Sequence, residues 1–184
     1  MAGTTEPQKV KLILGVIYSD PGLLARLEED LEGRFGPIEA RSDAFDFGLT
    51  DYYEDEMGGG LKRIFYSFSD LIDPAGIVDI KIESNRIEDE FALDGARKVN
   101  IDPGYMDFYK LVLASAKFQG QKIYLGKGIY ADPTLYYYKG WKSHDWSFPD
   151  FKSGRYDEFL AGVRRSYKNK MRNAYCIEGE TPAG

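Results

Sequence analysis

Carboxylates crowd one stretch of this sequence: Asp46, then Asp51-Tyr52-Tyr53-Glu54-Asp55-Glu56-Met57, closed by Gly58-Gly59-Gly60. Several carboxylates beside a glycine-rich bend can hold a hard divalent cation such as Mg²⁺, or supply a general acid and a general base. In that reading Asp51 and Glu56 carry the chemistry, Asp46 contacts the ligand, and Tyr52 and Tyr53 add stacking and hydroxyl contacts. The spacing follows no calcium-loop pattern, and a solvated acidic loop accounts for the same residues.

Asn100-Ile101-Asp102-Pro103-Gly104-Tyr105 is the second candidate. Strand alternation puts Asn100 and Asp102 on the face opposite Val99 and Ile101. Two polar side chains on a core strand can present a ligand-contacting pair on a rigid element. Asp102 is then an acid/base group or metal ligand, with Asn100 and Tyr105 as contacts. The competing account is turn chemistry, because Asp-Pro-Gly is an ordinary turn sequence.

A third candidate is Tyr124-Leu125-Gly126-Lys127-Gly128-Ile129-Tyr130. Gly126 and Gly128 let backbone amides approach an anion, Lys127 adds charge, and Tyr130 adds a ring. A plain hairpin with an exposed lysine explains it equally. Lys62, Lys110 and Lys127 together are the cations expected to hold an anionic group. Tyr136-Tyr137-Tyr138 reads as sheet packing, and Arg164, Arg165, Lys168, Lys170 and Arg172 as cations favoured near a helix C-terminus.

The sequence lacks the phosphate loop Gly-x-x-x-x-Gly-Lys-Ser/Thr, the dinucleotide fingerprint Gly-x-Gly-x-x-Gly, His-Glu-x-x-His and the nucleophile elbow. One cysteine, Cys176, and one histidine, His144, exclude an internal disulfide and a cysteine-rich metal site. Net charge is −6 and the pI is near 4.9. An acidic chain gains little from phosphate neutralisation, so nucleic acid and anionic membrane are disfavoured as partners. Met1–Gln8 has no apolar signal-peptide core, and the apolar run Val10–Tyr18 is too short to span a bilayer. The expected location is the cytoplasm.

These residues must be positioned by regular elements. Val10–Tyr18 is almost continuously apolar and reads as a buried strand. Asp20-Pro21 and Asp73-Pro74 are cap-and-proline helix starts. Leu24, Leu27, Leu31 and Phe35 then mark one helix face, and Ile77, Ile80, Ser84, Ile87 and Phe91 a second. Phe45–Phe47, Leu61–Phe68 and Lys98–Asp102 complete two strand–helix–strand halves. The fold class expected is α+β: a ferredoxin-like βαββαβ core with an antiparallel sheet. Leu111–Ala114, Ile123–Leu125 and Thr134–Tyr138 extend that sheet with C-terminal hairpin strands, after a short helix within Gly104–Lys110. A loop at Trp141–Phe151 precedes a final amphipathic helix capped near Ser153, with Tyr156, Phe159, Leu160, Val163, Tyr167 and Met171 on its apolar face. Residues 9–172 form one domain in this reading, with 1–8 and 173–184 as flexible tails.

Phe45-Asp46-Phe47, Thr50-Asp51-Tyr52-Tyr53, Glu56-Met57-Gly58, Leu71-Ile72-Asp73-Pro74, Asn100 to Tyr105 and Ile123 to Ala131 together resemble the bacterial domain-of-unknown-function family 4416, from roughly Lys9 to Tyr167. The resemblance implies a small bacterial protein. Members are often labelled GTP-binding, without an activity that carries over. After Ile129-Tyr130-Ala131 this chain has Asp132 and then Pro133.

Two functional classes are therefore expected. One is a domain, or an enzyme of unspecified reaction, that takes a small molecule such as a nucleotide or phosphorylated metabolite in an acidic, tyrosine-lined cleft. The other is a non-catalytic module that meets a protein partner through a tyrosine-rich sheet face or the basic final helix.

Overall fold

The computed structural model describes residues 3–48 and 57–178, with side chains as far as 173. Its elements are β1 (Val10–Tyr18), α1 (Leu24–Phe35), β2 (Ile38–Arg41), β3 (Phe45–Asp46), β4 (Lys62–Ile72), α2 (Ile77–Glu90), β5 (Val99–Met106), β6 (Lys110–Ser115), β7 (Ile123–Gly126), β8 (Ile129–Tyr137), β9 (Trp141–Ser143), a one-turn helix α3 (Pro149–Lys152) and α4 (Asp157–Glu178). The α+β class is as expected. The strands form one nine-stranded antiparallel sheet in the order β2-β4-β1-β5-β6-β8-β7, with β3 also on β4 and β9 also on β8.

The central strand β1 is buried along its whole length, which explains its unbroken apolar run. Leu12, Leu14, Val16 and Tyr18 pack with Leu24, Leu27, Leu31, Ile77 and Ile87 of the helices α1 and α2. On the other face, Ile13 and Phe65 pack with Phe151 of α3, with Tyr156 just before α4, and with Leu160 and Val163 of α4. Both Asp-Pro signals start helices as expected. Asp20 Oδ1 accepts from the Gly22 amide and Asp73 Oδ1 from the Ala75 amide, each at 2.8 Å. Each cap opens a 3₁₀ turn that runs into the α-helix. Val78–Ile82 alternates like a strand but lies inside α2.

Three local expectations are corrected. No helix occupies Gly104–Lys110; β5 runs to Met106, and a turn closed by Asp107 leads directly into β6. Pro103 and Gly104 therefore lie within a strand, not a turn. Gly104 is required there, because a Cβ would sit 2.6 Å from the Val112 carbonyl oxygen across the β5–β6 pair. The final helix is not capped at Ser153, which ends α3; Gly154, at φ +73°, breaks the chain before α4 starts at Asp157. The short strands β2 and β9 carry no clear period-two pattern and were not anticipated.

Candidate functional site

The chemistry begins where β5 and β6 part. They pair only through Gly104–Met106 and Leu111–Leu113. Before Gly104 comes Pro103, which has no amide to donate, so the ladder stops. Asn100, Ile101 and Asp102 stay paired to β1 on one side only. The other edge of β5 would carry an unsatisfied amide and carbonyl, and α2 supplies partners for both. The Ile101 amide donates to Glu88 Oε1 at 2.8 Å, and Lys81 Nζ donates to the Ile101 carbonyl at 2.8 Å. Ile77, Lys81, Ser84 and Glu88 form one buried stripe of α2, spaced four, three and four.

The fork leaves a cavity of about 500 Å³, within the usual range for a small-molecule site. Among the described residues, Arg63, Lys81, Arg97, Lys117 and Lys122 line it with Glu88, Asp102 and Asp132, and Asp150 stands behind Arg63. In a chain of net charge −6, the described lining of this cavity holds more cations than carboxylates. Phe47, Phe118 and Phe148 are its rings. Phe47 is buried, whereas Phe118 is 74% and Phe148 48% exposed.

Ion pairs hold the walls. Arg63, 4% exposed, binds Asp150 through Nη1 and Asp102 Oδ2 through Nη2 at 3.2 Å, and its guanidinium lies 4.6 Å from the Phe47 ring centroid. The Tyr156 hydroxyl donates to the same Asp150 at 2.8 Å, and burial raises that phenol's pKa. On the opposite wall Lys122 Nζ stands 2.9 Å from Ser115 Oγ and 3.4 Å from Asp132 Oδ2. Burial raises the Asp132 carboxyl, with Lys122 opposing. At the floor, burial likewise raises Glu88, against the pull of Lys81 and the Ile101 amide.

Asn100 departs from this pairing. It is 5% exposed, and Arg97 Nη1 donates to its Oδ1 at 3.1 Å, which fixes the amide's orientation. Its Nδ2 is buried and has no hydrogen-bond partner among the described residues. Such an orphaned donor costs about 1–3 kcal/mol. Among the described residues Ser67 Oγ and Trp141 Nε1, away from the cavity, are likewise without partners.

Of the residues anticipated from sequence, the cavity brings together Asn100 and Asp102. Asp46 and Lys62 form an exposed pair at 3.1 Å in the β3–β4 ladder, beside the cavity residue Phe47 but outside the lining. Tyr105 is half-buried on the opposite face, against the α1–α2 core, and its burial raises the phenol. Lys110 pairs with Asp107 at the far turn of the β5–β6 hairpin. Gly126, Lys127 and Gly128 form the β7–β8 turn, all at positive φ, and Lys127 pairs with Asp79 of α2 at 2.6 Å. Tyr130 lies against Tyr124 and Phe118, with centroids 5.2 and 5.7 Å away. Asp51, Tyr52, Tyr53 and Glu56 lie outside the described residues; Phe47 and Met57, which flank them, pack with Ile17 and Leu61. Among the described residues no group of three or more His, Cys, Asp or Glu could hold a metal ion.

Sequence reasoning missed Arg63, Lys81, Glu88, Arg97, Lys122 and Asp132. One signal was present: Lys81 and Glu88 are seven residues apart, two helical turns, on the stripe that begins at Ile77.

A family model described as Domain of unknown function (DUF4416) matches residues 8–167. The chain belongs to this family. Every cavity-lining residue falls within the matched span. No curated protein and no solved structure matches the chain. No helix among the described residues is long and apolar enough to cross a membrane.

Proposed function

We propose that this chain binds a small anionic molecule in the fork between β5 and β6. The observation that carries the reading is the majority of cations among the described residues that line a cavity in an acidic protein. Opposite charge held in a low-dielectric cleft attracts anions far more strongly than the same charge in water. Asp102 and Glu88 are the acid/base groups should a reaction follow binding. The strand order β2-β4-β1-β5, with α1 and α2 on one face, supports the ferredoxin-like reading of the core. A bacterial, cytoplasmic setting belongs to the same proposal.

The test is a thermal-shift panel of inorganic phosphate, acetate, succinate, neutral sugars, Mg²⁺ and Ca²⁺. An anion at 100 times its dissociation constant stabilises by about 2.7 kcal/mol, roughly 5–10 °C here. The shift should fall in a Lys117→Gln/Lys122→Gln variant, which removes two of the lining cations. Shifts only with neutral or cationic compounds would refute the reading.

A second reading, a protein-interaction module, has one specific support. Ile123, Tyr124 and Leu125 are all exposed on the sheet-edge strand β7. The basic final helix supports it less. Lys170 is committed to Glu39, and Arg164 to the Phe108 carbonyl and the Tyr137 ring.

A further inference from the structure

We infer that the ligand joins an oxyanion group to a flat ring, with one oxygen accepting from Asn100 Nδ2 deep in the fork and the ring at the mouth against Phe118 and Phe148. This rests on the reading of the fork as an anion site and adds which part of the ligand goes where.

The deep end is argued from hydrogen-bond accounting. Arg97 occupies Asn100 Oδ1, so the amide cannot rotate to hide its NH₂ group without setting that group against the guanidinium. The donor that remains is buried in a wall of the cavity and unmatched. Buried polar groups nearly always have partners, and an exception on a cavity wall is completed by whatever fills the cavity. That partner must be an acceptor, and Lys81 and Arg97 nearby favour one carrying negative charge. Carboxylate and phosphate oxygens both meet this requirement.

The outer end is argued from misplaced apolar surface. Phe118 lies in the loop after β6, and Phe148 just before α3, so two separate loops each place a partly or largely exposed ring on the lining of a charged cavity. Phe118 meets Tyr130 edge-on, with centroids 5.7 Å apart and planes at 62°. Rings held this way offer a surface for stacking at little conformational cost.

Four probes resolve the claim on the full chain: acetate and benzoate, methyl phosphate and phenyl phosphate, with cyclohexanecarboxylate as a non-planar control. Dissociation constants come from calorimetric titration. The ring member of each planar pair should bind about tenfold more tightly or better, and cyclohexanecarboxylate should not match benzoate. The tighter planar pair identifies carboxylate or phosphate as the natural head group. Asn100→Asp, which keeps the acceptor for Arg97 but replaces the donor with a carboxylate oxygen, should weaken every probe at least about tenfold. Phe118→Ala, at an exposed position that folding does not need, should abolish the ring advantage and leave acetate and methyl phosphate unchanged. Equal binding within each pair would overturn the ring assignment while the anion site stood. Full binding by Asn100→Asp would overturn the Asn100 assignment. No binding of any probe would overturn both the inference and the anion reading beneath it.

Discussion

At one end of the central strand, Lys11 is fully buried, with Nζ 2.7 Å from Glu39 Oε2 and 2.8 Å from the Phe68 carbonyl. The other Glu39 oxygen takes Lys170 at 2.9 Å. At the other end, six residues along β1 and roughly 20 Å away, Asn100 stands opposite Ile17 in the cluster of Lys81, Glu88 and Arg97. Both clusters bury charge in the same sheet. In the first, both carboxylate oxygens are occupied and none of Lys11, Glu39 and Lys170 lines the fork cavity. In the second, a buried donor is left over on a residue that lines a cavity. A buried ion cluster that closes on itself reads as architecture; one that leaves a group unmatched beside a void reads as a binding site.

Breaking the closed cluster should have the largest effect. Glu39→Ala leaves Lys11 buried without its carboxylate and should cost about 3 kcal/mol in urea denaturation, while the Lys11→Met/Glu39→Leu pair should return close to wild type. Anion binding should persist in both. A milder outcome for Glu39→Ala than for the double variant would contradict the view of Lys11 as dependent on that carboxylate.

Gly104→Ala attacks the hinge of the open cluster. Its Cβ would meet the Val112 carbonyl, so the strands must shift, at about 1–3 kcal/mol. Because the fork opens from this point, binding should weaken as well as folding. Stability and affinity measured on one preparation would separate this from the Glu39 case.

The clusters should also answer pH in opposite directions. Burial raises the folded-state pKa of Glu88 above its unfolded value near about 4.3, so the folded chain holds the extra proton between the two values. Stability therefore falls as pH rises through that window, and Glu88→Gln should remove the fall. For Glu39 burial acts upward, but hydrogen bonds from Lys11, Lys170 and Ser166 outweigh it and the carboxyl is lowered. Its contribution is present above the unfolded pKa and is lost as pH falls through the folded one. Stability–pH curves of Glu88→Gln and Glu39→Gln should diverge accordingly, and parallel curves would erase the distinction.

Asn100→Asp should change folding least, by less than about 1 kcal/mol, since the side chain keeps its shape and its bond from Arg97.

The sequence made the long elements legible because their signals are local. The apolar run of β1, the Asp-Pro caps and the helical spacing of α1, α2 and α4 all came through. Pro103-Gly104 misled, because in isolation it signals a turn. Its actual roles, ending one ladder and admitting a close strand, depend on β6 lying alongside. The site was half legible for the same reason. Strand alternation identified Asn100 and Asp102, whereas Arg63, Arg97 and Lys122 converge from β4, the segment before β5 and the segment before β7. No spacing rule connects them. Lys81 and Glu88 were visible as polar residues on a core-facing stripe, but the partner that explains them, the free edge of Ile101, exists only once the sheet has formed.

The most direct measurement is an amide ¹H–¹⁵N titration of the full chain with phenyl phosphate. The account predicts saturable shifts concentrated at Asn85, Asn100, Ile101 and Ala114–Lys117, with Lys11, Glu39 and Lys170 unmoved. Shifts centred on β7 or α4, or none at all, would contradict the fork as an anion site.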